Sequence, residues 1–240
     1  LHDWSCAIAL QDEEIDNERG VIREEWRTGA DANRRLWRDI NKQKYVGTPY
    51  AKRDVIGDTA VINNFTYQAL RDYYKLWYGP DLQSIVIVGD IDVDKMEAKV
   101  KDLFGPIPPR KNRGVRPYFP LPDNEKPIIA LCTDKEAPYS LFELDYKHQQ
   151  KSDEFKLSKE GYRYNIIMTL AKAMLSHRFL ALQLNPNSSI LQMDGGYGNL
   201  IGVTDALSFC AVPKDGKDID AAKEFILLVE QVKRFGFRES

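Results

Sequence analysis

The sequence predicts an α+β fold with two incomplete α/β layers, in which helices cover the sheets. Three observations favour this class: apolar residues recur at helical spacing in several long segments, short β-branched runs stand between those segments, and a proline-rich stretch divides the chain near its middle. The strand runs are too few to complete a layer in either half. We therefore predict a first domain over residues 1–110, a linker over 111–126 and a second domain over 127–240.

The composition is that of an ordinary globular protein. The 240 residues are 43% hydrophobic and 29% charged, with a formal net charge of -2. Acidic and basic residues are interspersed, which argues against a nucleic-acid surface because such surfaces carry a basic excess. The densest basic cluster lies among prolines and is interpreted as part of a solvated linker; it comprises Arg110, Lys111, Arg113 and Arg116. No window holds the roughly eighteen apolar residues that a membrane span needs.

The first half is predicted to form helices around one strand. An apolar stripe predicts one helix from Asp12 to about Lys42. A second helix is predicted from about Asn64 and ends at Gly79-Pro80. The β-branched run at 84–88 predicts a buried strand. Asp92 is placed to cap a third helix, because its carboxylate can accept from the free N–H groups of the first turn.

The second half alternates strands and helices. The predicted elements, in order, are strands at 128–132 and 140–144, a helix at 155–184, a strand–turn–strand unit at 188–212 and a last helix at 222–232. Three glycines within four residues place the turn of the strand–turn–strand unit at 195–198.

Two glutamates on the first predicted helix carry the chemistry of interest. Glu18 and Glu25 are seven residues apart, so they project from the same helix face at the edge of the apolar stripe. Their Cα atoms are about 10.5 Å apart along the axis, which suits one metal ligand and one supporting carboxylate better than joint chelation. On spacing alone, a solvated helix with acid–arginine pairs such as Asp16 with Arg19 is the preferred interpretation.

The surrounding residues change that weighting. Residues 18–27, ERGVIREEWR, resemble the third-ligand helix of the insulinase/pitrilysin-type, M16-like zinc metallopeptidases, in which an E-R-x-V-I-x-x-E pattern follows an upstream H-x-x-E-H. Further stretches resemble the same family: the loop at 50–57, the helix and Tyr-x-Pro turn at 65–82 and the strand end at 88–92. The ordered resemblance covers residues 12–110, and residues 125–240 resemble the family's second, similarly folded domain more loosely.

The resemblance implies a fold and a site. The fold is of the metallopeptidase-like (LuxS/MPP-like) type, with the C-terminal part of a first peptidase-like domain followed by the N-terminal part of a second. Glu25 is implied to be the third zinc ligand and Glu18 the neighbouring carboxylate that supports the site. In the family, two histidines complete the ligand set, and the glutamate between them activates a metal-bound water.

The histidine half of that site is missing from this sequence. His2, His148 and His177 stand in unrelated settings, outside any H-x-x-E-H arrangement. The family's histidine motif precedes the third ligand by more residues than the 24 that precede Glu25 here. We therefore expect the chain to be an internal piece that contains no catalytic residue. Zinc is expected in the complete protein, with the general base upstream, and not in this chain alone.

These expectations define the candidate functions. The first is a piece of a zinc endopeptidase that acts on peptides or unfolded polypeptides and is inactive on its own. The alternative is a non-catalytic homologue that serves as a substrate-binding or structural partner of an active subunit. A free-standing binding domain is the third possibility. Exposed apolar surface is expected to promote self-association or association with a homologous half, and for a bacterial source we expect a periplasmic location.

Overall fold

The protein is a mixture of helices and a small antiparallel sheet, described by a computed structural model over residues 1–109, 112 and 114–237. Its helices are α1 (His2–Cys6), α2 (Asp12–Thr28), α3 (Ala32–Lys44), α4 (Thr59–Asn64), α5 (Tyr67–Trp77), α6 (Val93–Phe104), α7 (Asp153–Lys156), α8 (Lys159–Gln183) and α9 (Asp218–Phe235), and its strands are β1 (Phe142–Gln149), β2 (Ile190–Ile201) and β3 (Thr204–Pro213). The predicted α+β class is confirmed.

Contacts divide the chain into two compact units. Unit 1 comprises Leu1–Asp31 and Arg53–Pro117, and unit 2 comprises Ala32–Lys52 and the chain from Tyr118 onward. The α3 segment thus groups with the second half of the sequence. The domain boundaries given by the sequence analysis remain predictions. Positions 110, 111 and 113, which belong to the basic cluster noted in the sequence, lie outside the described residues.

The prediction of one helix over residues 12–42 is wrong, because α2 ends at Thr28 and α3 begins at Ala32. Gly29 follows the last residue of α2, and its N–H donates to the carbonyl of Glu25 at 3.0 Å. The Thr28 hydroxyl also donates to the carbonyl of Glu24 at 2.8 Å. Glycine is disfavoured inside helices and common where they end. The apolar spacing continues past Gly29, so it gave no indication that the helix ends there.

Capping residues define the other helices of unit 1. The predicted start near Asn64 is the end of α4, and α5 begins at Tyr67 because the Thr66 hydroxyl accepts from the N–H of Ala69 at 3.2 Å. Asp92 caps α6 as predicted, accepting from the N–H of Lys95 at 3.1 Å. Each cap satisfies an N–H that has no partner inside its helix.

Two predicted strands do not form. Residues 84–88 and 128–132 are paired with no strand among the residues that the structure describes. Several of their side chains are largely exposed, including Val88 at 92% and Ile129 at 84%. A β-branched run favours extended backbone, but a strand is completed only by the hydrogen bonds of a neighbour.

The sheet of unit 2 has the order β1-β3-β2, with both pairs antiparallel. Its hairpin turns at Gly202, whose φ of +55° lies in the left-handed region that glycine adopts without strain. The turn predicted at 195–198 is therefore wrong, since Gly195 lies inside β2 opposite Phe209. A Cβ at Gly195 would lie 2.8 Å from the Phe209 ring, so this glycine permits close packing and does not make a turn.

The core of unit 2 lies between the sheet and the helices α8 and α9, which both contact it. Its buried residues are Leu175, Phe179, Ile190, Met193, Phe209, Ala211, Ala221, Phe225, Leu228 and Val229. The Phe179 and Phe209 rings meet edge to face with centroids 6.3 Å apart. Alternation along β3 supplies one face of this core, as the period of a half-buried strand requires.

Ion pairs attach α3 to the rest of unit 2. Arg35 donates to both carboxylate oxygens of Asp134 at 2.7 and 2.9 Å and to Glu136 at 2.6 Å. The hydrogen bond from Arg35 lowers the pKa of Asp134 to about 2. At the other end of α3, Lys44 lies 2.5 Å from Asp145. Burial alone would lower the pKa of Lys44, but the carboxylates around it raise the pKa above its ordinary value.

Truncating Phe179 should remove a central part of the unit 2 core. The side chain is 1% exposed, so Phe179→Ala should lower the free energy of unfolding by about 3–5 kcal/mol. Urea denaturation followed by circular dichroism measures the change. Leu180→Ala, on the same helix but 52% exposed, is the matched control and should cost less than about 1 kcal/mol. Equal losses for the two variants would contradict this core.

Candidate functional site

Glu18 and Glu25 lie on one open side of α2. Both side chains are exposed, and Val21 between them is 58% exposed. The buried residues of α2 are Ile15 and Arg19, on a different side of the helix. The two carboxylates share a face, as predicted. They lie on the exposed surface and not at the edge of the buried one.

The described residues do not make a complete metal centre. They contain no group of three His, Cys, Asp or Glu side chains that could hold a metal ion. A catalytic zinc normally takes three protein ligands. Glu25 has the donor chemistry and the exposure of one such ligand, so the described part of the chain fits one corner of a zinc site and not a whole one.

Each of the three histidines has its own local contacts. The His2 Nδ1 atom lies 3.0 Å from the Asp3 carboxylate within α1. The His148 ring stacks on Tyr197 in unit 2, with centroids 5.4 Å apart. His177 lines a cavity of about 950 Å³ with residues of α8 and α9. Each therefore has a local structural setting.

The inner side of α2 is held by Arg19. This side chain is 9% exposed, and its guanidinium donates to the carbonyl of Ile62 and, at 3.1 Å, to the carbonyl of Phe65. Its Cζ atom lies 4.0 Å from the centroid of the Phe65 ring. Both carbonyls belong to the end of α4, where the last C=O groups of a helix lack partners inside it. A cation at this end is also favoured by the helix dipole.

Asp16 extends this network to α5. Its carboxylate accepts from Arg19 Nε at 3.3 Å and from the Tyr67 hydroxyl at 2.5 Å. The hydrogen bond from Tyr67, supported by Arg19, lowers the pKa of Asp16 below its ordinary value. The same bond raises the pKa of Tyr67. One turn before Asp16 on α2, Asp12 pairs with Arg71 of α5, so the two helices are joined at two points.

Sequence reasoning identified the Asp16–Arg19 pair but interpreted it as a surface pair. The available signal was the position of Arg19 in the apolar stripe, four residues after Ile15 and three before Ile22. A charged residue at a stripe position is expected to be buried, and a buried charge needs partners. Beside this network lies a groove of about 760 Å³, lined by Asp16, Arg19, Arg23, Asn63, Phe65, Thr66 and Tyr67.

None of the described helices is long and apolar enough to cross a membrane. Comparison with protein families finds that residues 64–180 match the family described as Peptidase M16 inactive domain. The match begins after α2, so the helix that carries Glu18 and Glu25 lies outside it.

Individual relatives extend the similarity over the whole chain. The chain is 26% identical over 243 residues to a probable zinc protease, PqqL, of Escherichia coli strain K12, covering 98% of this chain and 25% of that protein. The solved first half of the periplasmic protease PqqL from Escherichia coli superposes with a TM-score of 0.75 and 26% identity, covering 99% of this chain and 50% of that one. The ferredoxin protease FusC, solved with Arabidopsis ferredoxin, has the same fold, with a TM-score of 0.80, 22% identity and coverage of 99% and 26%. The chain spans about a quarter or less of the length of the curated relatives it matches.

Removing the Asp16 carboxylate should reveal a pH-dependent part of the stability of unit 1. Because folding lowers the pKa of Asp16 below the ordinary 3.8, its contribution is present above about pH 3.8 and is lost as the pH falls through the folded pKa. Asp16→Asn should therefore be less stable than the parent at pH 7, and the gap should close in acid. Denaturation midpoints at several pH values measure it.

Asp39→Asn is the matched control for this prediction. Asp39 forms an exposed pair with Lys42 on α3, and exposed pairs contribute little. A gap for Asp16→Asn that stays constant from pH 7 down to pH 2 would show that its carboxylate charge is not what stabilises the contact.

Proposed function

We propose that this chain is a member of the peptidase M16 family and part of a zinc-dependent endopeptidase, on the basis of its match to that family over residues 64–180 and its similarity to zinc proteases. The proposed substrates are peptides or unfolded polypeptides. The observation that carries the proposal is the open carboxylate face of α2, where Glu25 is exposed on a helix whose inner side is held by buried contacts. Relatives named zinc proteases support the metal.

Each carboxylate has a separate role in the proposal. Glu25 is a zinc ligand, and Glu18, almost two turns earlier on the same face, orients the site by hydrogen bonding to groups around the metal. When bound, zinc supplies the Lewis acidity for hydrolysis of the peptide bond. The other ligands and the general base come from residues outside this chain. The chain by itself is therefore proposed to be inactive, because Glu25 is one ligand where three are needed.

A second candidate is a non-catalytic homologue that binds substrate or supports an active subunit. The match of residues 64–180 to a domain described as inactive favours it. The α2 face argues against this candidate, because a partner subunit that binds no metal does not need carboxylates at both position 18 and position 25. We therefore rank the peptidase first.

The proposal extends to location and association. The Escherichia coli relative is described as a periplasmic protease, and we propose the same compartment for this protein. Exposed apolar side chains such as Val86 and Val88 support association with a homologous half of the same protein or with a second copy.

Substitution of Glu25 tests the peptidase directly. In the complete protein, Glu25→Gln should abolish bound zinc and hydrolysis of an unstructured peptide together, because the amide is a poor zinc ligand. Glu18→Gln should weaken zinc affinity by about 10–100-fold. Metal content is measured by atomic emission and hydrolysis with a quenched fluorescent peptide.

Glu24→Gln is the control for these substitutions. Glu24 is the exposed neighbour of Glu25 and pairs with Arg27 at 3.0 Å, so its loss should leave zinc and hydrolysis unchanged. If the parent protein carries no zinc and cleaves no peptide, the partner-subunit candidate replaces the peptidase.

The 240-residue chain alone should bind zinc weakly and without defined stoichiometry. Its described residues offer no three-ligand cluster, and a single carboxylate holds the ion no better than any acidic surface. Isothermal titration with zinc chloride measures this binding. A tight site of one ion per chain that disappears in Glu25→Gln would contradict the prediction.

A further inference from the structure

We propose that Arg19 is a positioning residue that fixes the rotation of α2 about its own axis and so keeps Glu18 and Glu25 on one open face. The proposal rests on the proposed function in one respect, the role of Glu25 as a metal ligand. The rotation itself depends only on contacts within unit 1.

The contacts that Arg19 makes outside α2 lie at the end of α4. Its guanidinium donates to the carbonyls of Ile62 and Phe65 and to the Asp16 carboxylate. The face of the guanidinium packs on the Phe65 ring at 4.0 Å. The two carbonyls hold the group in its plane, and the Phe65 ring holds it perpendicular to that plane, so α2 cannot turn without breaking several contacts to the end of α4. Asp16 turns with α2, but its hydrogen bond from Tyr67 adds a contact to α5.

Helix geometry carries this constraint to the carboxylates. At about 100° per residue, Glu18 lies about 100° around the axis from Arg19, and Glu25 lies about 120° away in the same direction. The two carboxylates are therefore within about 20° of each other, and both are set by the same clamp. A rotation of α2 by one residue position, about 100°, would carry both carboxylates away from the open side.

The contacts select arginine and not merely a cation. A guanidinium is planar and presents several N–H groups in a fixed fork, so it can bridge two carbonyls while its face packs on an aromatic ring. A lysine ammonium offers a single donor atom at the end of a flexible stem. It can reach one carbonyl but cannot reproduce the bridge.

A distance measurement between spin labels tests the rotation without any metal. The labels are placed on the 240-residue chain at Glu25→Cys on α2 and Val61→Cys on α4, an exposed position, in a background where Cys6, Cys132 and Cys210 are replaced by serine. Distances are recorded by pulsed electron paramagnetic resonance on samples frozen from a temperature at which each variant is folded. The variants are Arg19→Met, Arg19→Lys and the control Arg27→Met, an exposed arginine on the same helix.

The parent and the control should give one narrow distance distribution. Arg19→Met and Arg19→Lys should both broaden or shift it, the lysine variant because charge alone does not restore the bridge. If both Arg19 variants unfold at lower temperature but keep the narrow distribution, Arg19 only stabilises the fold and the proposal is overturned.

Zinc affinity in the complete protein separates this proposal from the proposed function. Arg19→Lys should weaken zinc binding by about 10–100-fold, as loss of a group that orients a ligand does, while Arg27→Lys should leave it unchanged. If Glu25→Gln retains zinc although Arg19→Met broadens the distances, Glu25 is not a ligand and the rotational clamp stands. If Glu25→Gln loses zinc but the distances stay narrow, the metal role stands and the clamp falls.

Discussion

A buried guanidinium is the interaction on which unit 1 depends. In the described part of this unit the buried hydrophobic residues are Ile15 and Ile62, so apolar burial is small. Arg19 lies on the same side of α2 as Ile15 and joins that helix to the end of α4. Moving a charge out of water costs several kcal/mol unless hydrogen bonds replace the lost hydration. Here carbonyl oxygens at a helix end supply them, and each would cost about 1–3 kcal/mol if buried without a donor.

Unit 2 is stabilised in a different way. Its sheet and two helices enclose a continuous apolar core that includes Phe179, Ile190 and Phe209. Buried area of this kind is non-directional, and it tolerates small shifts better than a fork of hydrogen bonds does. The charged contacts of unit 2, such as Arg35 with Asp134, join α3 to this core from outside. The two units thus differ in what fixes geometry: polar contacts around α2 in the first, and packing in the second.

The sequence separation between contacting residues explains which features could be predicted. Elements defined by local chemistry were predicted well, such as the Asp92 cap and most of α8, because caps and periodicity are properties of nearby residues. The single helix predicted over 155–184 is divided, since α7 ends at Lys156 and α8 begins at Lys159. Residues 84–88 have the composition of a strand, but a strand also needs a partner that sequence spacing does not reveal. Gly195 resembled a turn because its real function, admitting the Phe209 ring, involves a residue 14 positions away. The partners of Arg19 at residues 62 and 65 were likewise beyond local reasoning, although its position in the apolar stripe indicated that it needed partners.

The clamp on α2 has a consequence for how a metal ligand is prepared. Arg19, Asp16 and Tyr67 form their contacts with residues of unit 1. These contacts hold α2 within unit 1, and under the proposed function they keep Glu25 in position in advance of metal binding. Because ordering a group on binding reduces affinity, a carboxylate held in advance binds more tightly than the same carboxylate on a mobile segment. The buried arginine on one side of α2 and the exposed carboxylates on the other therefore act together. Local hydrogen bonds offset the cost of burying a charge in unit 1. The result is a carboxylate face with a defined direction.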